Sequence, residues 1–157
     1  AMVTWIFYER MCGRKMSAVG ACIGAVVGLV AITPAAGFVT VGQAIFIGFI
    51  SSLISNWAIG KMRNSRFDDT LDVFPSHGIG GISGMILTAV FASNVGLVNG
   101  QYQTFLYHLL ALIISAVFCF FGSLLLYKIV DKILKIRVRP DQEEVGLDLS
   151  QHGEEIR

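Results

Sequence analysis

Asp68-Asp69-Thr70-Leu71-Asp72-Val73-Phe74-Pro75-Ser76-His77-Gly78-Ile79-Gly80-Gly81 is the stretch on which the fold of this chain turns. Three carboxylates stand just before a histidine, and the histidine heads an apolar, glycine-rich run that continues to Ala92. A titratable ring at the head of a membrane helix is costly unless something uses it. A neutral imidazole offers one donor and one acceptor, which suits passing a small polar solute or a proton through an apolar bore. His77 is therefore read as lining a conduction path, against the plainer reading of a histidine bonded to a neighbouring helix for packing alone.

The surrounding composition agrees with a membrane setting. Hydrophobic residues make up 54% and charged residues 15%, with a mean hydropathy of +0.67, whereas soluble domains are about a quarter charged. Charge and apolarity are also segregated along the chain. The expected fold class is all-α, a polytopic transmembrane helix bundle. The net charge of +1 does not point to nucleic acid, because the basic residues form no patch within a soluble domain. Cys12, Cys22 and Cys119 are scattered without metal-ligand spacing, so neither a zinc site nor a disulfide framework is expected.

Working outward, residues 1–9 are apolar but too short to span, since a spanning helix needs about 20 apolar residues. They are expected to be the end of a helix whose beginning is absent. Spans are expected at about 17–33, 41–60, 76–92 and 104–135, making a transmembrane portion of 1–136 followed by a tail at 137–157. The last helix is expected to continue past Lys135. Ser17 is a plausible N-cap for the first span. Gly20, Gly24 and Gly28 recur on one face of it, where small residues let another helix approach closely. A phosphate-loop reading of these glycines is poor, because the Lys-Ser/Thr ending is missing. Trp57 is placed for a membrane interface.

All 12 lysines and arginines fall at 10–15, 61–66, 128–139 and 157, while the loops at 34–40 and 93–103 have none. Basic residues mark the cytoplasmic side. The chain should therefore enter the cytoplasm near Arg10, leave through 17–33, return through 41–60, leave again through the His77 helix and return through 104–135. The tail, with Asp141, Glu143, Glu144, Asp148, Glu154 and Glu155, is then cytoplasmic.

Asp68, Asp69 and Asp72 precede the His77 helix, where carboxylates complement a helix N-terminus. That role is expected first of Asp68. A direct Asp72–His77 dyad is expected only if Pro75 distorts the turn. His108 is expected to do no more than meet solvent. No catalytic triad, carboxylate pair or cofactor motif is evident, so neither an enzyme nor a cofactor is expected.

Gly28-Leu29-Val30-Ala31-Ile32-Thr33-Pro34-Ala35-Ala36-Gly37-Phe38-Val39, followed by the Asp68–Gly81 stretch, resembles the ammonium transporter branch of the Amt/Rh family. The tail residues Gly146-Leu147-Asp148 and His152-Gly153-Glu154 resemble bacterial members of that branch. The resemblance covers essentially the whole chain and corresponds to the last four helices of an eleven-helix fold. It implies a homotrimer in the cell membrane, multi-pass, with a narrow pore in each subunit that carries ammonium as neutral ammonia past two stacked histidines. His77 matches the second of these and Val73 an apolar pore-lining position. Asp69 and Asp72 match an acidic pair at the inner end. Pro75-Ser76 stands where the family usually has a glycine and a small apolar residue, which implies a different local backbone. The outer recruitment site and the first histidine belong to earlier helices that are not in this sequence, so its glycine faces are expected to lack partners. The family's PII-type signal proteins imply a docking surface on the tail that includes Arg137, Arg139, Asp148 and His152. The alternative is a truncated, membrane-anchored module that docks such a protein without transporting.

Overall fold

A computed structural model describes residues 1–154; Glu155 and Arg157, assigned above to the acidic tail and the basic set, lie outside the described residues. The described residues are helical, with no strand among them, and fall into two compact units, Ala1–Ile113 and Ile114–Arg157.

The first unit is built on close helix approach. Helix α1 (Met2–Met11) lies along the glycine face of α2 (Ala18–Ile32). A Cβ at Gly24 would fall 2.9 Å from the Trp5 Cγ and 3.2 Å from the Met2 Cα, and one at Gly28 would fall 2.7 Å from the Ala1 Cβ. The glycine face therefore has a partner within the chain, which corrects the expectation that it would be bare. The residues before Arg10 supply the helix that covers it. Ser17 caps α2 by accepting the Gly20 N–H at 2.9 Å.

Helix α3 (Val41–Met62) starts at a capping box: the Gln43 N–H reaches the Thr40 hydroxyl at 3.4 Å, and the Thr40 N–H reaches the Gln43 side chain at 2.8 Å. Two apolar clusters join the helices. Trp5, Val27 and Ile59 form one; Ala31, Ala35 and Ile47 form the other, with Leu87 and Phe91 packed against it. Beyond α3, a π-helical stretch (Phe74–Ile79) runs straight into α4 (Gly80–Phe91). Its start is Phe74, two residues before the expected boundary. Gly84 lets α4 touch the α2 backbone, since a Cβ there would lie 2.8 Å from the Ala31 Cα. The loops after α2 and α4 are tied by the Ser93 N–H donating to the Phe38 carbonyl at 2.7 Å.

Three described helices are long and apolar enough to cross a membrane: Val41–Met62, Phe74–Phe91 and Tyr102–Ile133. Helix α2 is apolar but only 15 residues long, shorter than the full span expected there. Helix α5 (Tyr102–Ile133) has no buried residue: Phe105, Leu109 and Leu112 are half-buried, and most of its other apolar residues are exposed. It stops at Ile133 instead of passing Lys135. The Asp131 carboxylate accepts the Ile136 N–H at 3.2 Å, which takes that donor out of the helical ladder.

In the second unit, α6 (Pro140–Val145) is followed by a π-helical turn, Asp148–His152. The Ser150 hydroxyl donates to the Gln142 carbonyl at 3.2 Å and fastens the turn to α6.

Candidate functional site

The first amides of the His77 helix, which have no intrahelical partner of their own, are held by residues just before it. Asp69 Oδ1 accepts the Val73 N–H at 2.9 Å and Oδ2 accepts the Phe74 N–H at 2.8 Å. Pro75 has no N–H to satisfy. The Ser76 N–H reaches the Asp72 carbonyl at 3.1 Å, and the Ser76 hydroxyl reaches the same oxygen at 2.6 Å. Asp69, not Asp68, is thus the capping carboxylate. Among the described residues Asp68 accepts only the Thr70 hydroxyl, at 3.1 Å. Asp69 sits where its side chain spans both amides, whereas Asp68 is one residue too far back and exposed.

Asp72 turns away from the histidine. Its backbone is left-handed, with φ at +51°, and its carboxylate meets Arg63 at 3.4 Å. Asp72 and His77 form no dyad, although Pro75 does lie within an unwound, π-helical turn. Pro75 and Ser76 are buried, which leaves His77 and Val73 on the exposed side of the turn. The His77 ring makes no hydrogen bond among the described residues, so both ring nitrogens are available. Among those residues no group of His, Cys, Asp and Glu could hold a metal ion. His108 does more than meet solvent: its Nδ1 lies 2.9 Å from the Thr104 carbonyl, which can only accept, so Nδ1 carries the proton.

The tail residues singled out above are engaged with their neighbours. Arg137 makes a two-pronged contact with Glu143 at 3.0 and 3.2 Å, and Arg139 pairs with Asp141. The hydrogen bond from Arg139 holds the Asp141 carboxyl below the usual carboxylate range. Asp148 opens the last π-helical turn and His152 closes it on the exposed side.

Sequence reasoning missed a buried polar seam on α3. Ser51, Ser52, Ser55 and Asn56 are fully buried, and Ser83 of α4 hydrogen-bonds Ser51 at 2.9 Å. Arg14 reaches up from the first basic loop to bond the Asn56 side-chain oxygen. Glu9 is also buried, its carboxylate accepting the Trp5 indole N–H at 3.3 Å. The available signal was spacing: Trp5 and Glu9, Ser51 and Ser55, and Ser52 and Asn56 are each one helical turn apart and so share faces.

Long apolar helices, an outward apolar surface and polar groups confined to the interior and the ends define a multi-pass membrane protein. The model of the Ammonium Transporter Family matches residues 1–156. An ammonium transporter of Bacillus subtilis is 39% identical over 158 residues, covering 96% of this chain and 39% of the relative. The ammonium transporter MEP2 of Saccharomyces cerevisiae is 34% identical, covering 97% of this chain and 34% of the relative. The crystal structure of Saccharomyces cerevisiae Mep2 superposes with a TM-score of 0.83 at 33% identity, over 96% of this chain and 37% of that one. The chain belongs to the ammonium transporter family, and it spans under two-fifths of the length of these relatives.

Proposed function

We propose that this chain forms the C-terminal part of a transporter that moves ammonium as ammonia across the cell membrane, with His77 in the solute path. The observation that carries the reading is the exposed, unbonded His77 ring on a membrane-length helix whose own start is fully capped. A bare cation is expensive in an apolar bore, whereas a neutral amine needs only the hydrogen bonds an imidazole supplies. Val73 lines the same side, and Asp69 and Asp72 mark the inner end. The remaining pore walls come from helices preceding this sequence, in a homotrimer with the C-terminus in the cytoplasm. The test is His77→Ala in the full-length protein. Methylammonium uptake should fall or its charge coupling should change; uptake and current both unchanged would remove His77 from the path.

The alternative is a membrane-anchored module that docks a PII-type signal protein through Arg137, Arg139, Asp148 and His152 without transporting. Its support is that Arg137, Arg139, Asp148 and His152 are all exposed on the tail. Retention of a PII-type protein by this chain, with no flux in proteoliposomes, would favour it. Flux by this chain alone would rule it out.

A further inference from the structure

The turn that presents His77 leaves the α-helical ladder at two adjacent residues. Pro75 has no N–H, so the Leu71 carbonyl, four residues back, receives no helical donor from it. Ser76 is 4% exposed, and its hydroxyl donates back to the Asp72 carbonyl at 2.6 Å, with the Val73 carbonyl also within reach at 3.3 Å. The Asp72 carbonyl already takes the Ser76 N–H at 3.1 Å, so Ser76 grips it through both backbone and side chain. A serine hydroxyl that bonds back four residues competes with the backbone donors and bends a helix. The backbone shows the consequence: Phe74–Ile79 is π-helical, and α-helical geometry resumes only at Gly80.

In a π-helix each carbonyl takes its donor from five residues on instead of four. For the Val73 carbonyl the α-helical donor would be the His77 N–H, and the Ser76 hydroxyl lies against that carbonyl. One residue turns a helix by about 100°, so a change of ladder at this point re-aims the side chains that follow. The register adopted puts Pro75 and Ser76 inside and His77 outside. We propose that Ser76 is the positioning residue for His77: its hydroxyl keeps Phe74–Ile79 out of the α-helical ladder and so fixes the direction in which the imidazole faces the solute path. Pro75 alone does not do this. Its missing donor opens the Leu71 carbonyl but leaves the Val73 carbonyl free to take the His77 N–H. The inference rests on the placement of His77 in the solute path proposed above.

The test uses the full-length protein as Ser76→Ala, His77→Ala and the double variant. Methylammonium uptake is measured in vesicles, and the structures of the parent and Ser76→Ala are determined by electron cryomicroscopy. In Ser76→Ala the Phe74–Ile79 turn should tighten towards an α-helix and the His77 ring should swing from its position in the parent. Uptake should fall about tenfold, within the roughly hundredfold that misplacing a working group by about 1 Å can cost. Ser76→Thr keeps a hydroxyl that bonds the same carbonyls and should recover most of that loss. The double variant should be no slower than His77→Ala, because Ser76 acts only through the ring. A ring unmoved in Ser76→Ala would overturn the proposal. So would unchanged uptake in Ser76→Ala, or losses that add in the double variant, when His77→Ala alone is impaired. If His77→Ala keeps both uptake and current, it is the transport reading that fails, and the ring position in Ser76→Ala still decides whether the hydroxyl sets it. Should Ser76→Ala not fold, Ser76→Cys, close in size with a weaker donor, carries the same comparison.

Discussion

The Asp69 carboxylate holds the Phe74 backbone N–H at 2.8 Å, and with it the first turn of the helix that presents His77. The second oxygen holds Val73 in the same way, so one side chain replaces two missing intrahelical partners. Asp69→Ala should lower stability by about 1–2 kcal/mol, the usual cost of an N-cap, read as a drop in thermal midpoint in detergent. Asp69→Asn keeps an acceptor oxygen and should lose less. Asp68→Ala should be near neutral, because among the described residues Asp68 bonds only the Thr70 hydroxyl. If Asp69→Asn keeps its midpoint but loses uptake in the full-length protein, the charge serves transport as well as capping.

Gly24 and Gly84 admit no side chain. At Gly24 a methyl would enter the Trp5 side chain and approach the Met2 backbone; at Gly84 it would enter the Ala31 backbone, 2.8 Å from the Cα. Overpacking of this kind costs about 1–3 kcal/mol, and backbone neighbours cannot rotate away. Gly84→Ala should therefore destabilise at least as much as Gly24→Ala. Gly60, with nothing within 4 Å of its added Cβ, is the control. Gly60→Ala should be neutral, or stabilising by up to about 1 kcal/mol, from helix propensity. Equal thermal midpoints for all three variants would contradict the close helix approach.

The helices, the glycine face of α2 and the head of the His77 helix were legible because each has a local signature. Apolar length, small residues at every fourth position, and carboxylates before a helix are read within a dozen residues. What stayed hidden depended on which helix lies opposite. Glu9 stands beside Arg10, and in sequence the two look like one polar helix end; only the approach of Gly20 turns Glu9 inward while Arg10 stays exposed. Likewise Ser55 and Asn56 lie in an apolar span, and their burial follows from α1, α2 and α4 closing around α3. The end of α5 at Ile133 was missed because it hangs on one hydrogen bond, from Ile136 back to Asp131.

Arg14 and Asn56 should be energetically coupled. Asn56 is fully buried, its oxygen is held by Arg14, and its Nδ2 has no partner among the described residues. Asn56→Leu fills the site but takes the acceptor from the half-buried Arg14 guanidinium. Arg14→Met strands the amide oxygen instead. Leaving one buried partner unsatisfied costs about 1–3 kcal/mol, while removing both together can be nearly neutral. The double variant should therefore be more stable than the sum of the two single losses. A double-mutant cycle on the thermal midpoint measures this, and strict additivity would mean the contact contributes nothing.

Asp72 separates backbone strain from charge. Its φ of +51° lies where most side chains are disfavoured, and asparagine and glycine are tolerated better than alanine. Its partner Arg63 is 62% exposed, and pairs of that kind contribute about 0–1 kcal/mol. The conformation should therefore govern stability more than the ion pair does. Asp72→Ala should cost about 1 kcal/mol through the left-handed backbone, whereas Asp72→Asn and Asp72→Gly should lie close to the parent. Transport gives the second axis. If Asp72 serves the inner end of the path through its charge, Asp72→Asn in the full-length protein should keep its thermal midpoint and lose uptake. If Asp72→Asn transports normally while Asp72→Ala does not, the residue acts by setting the turn before Val73, and its carboxylate has no part in the solute path.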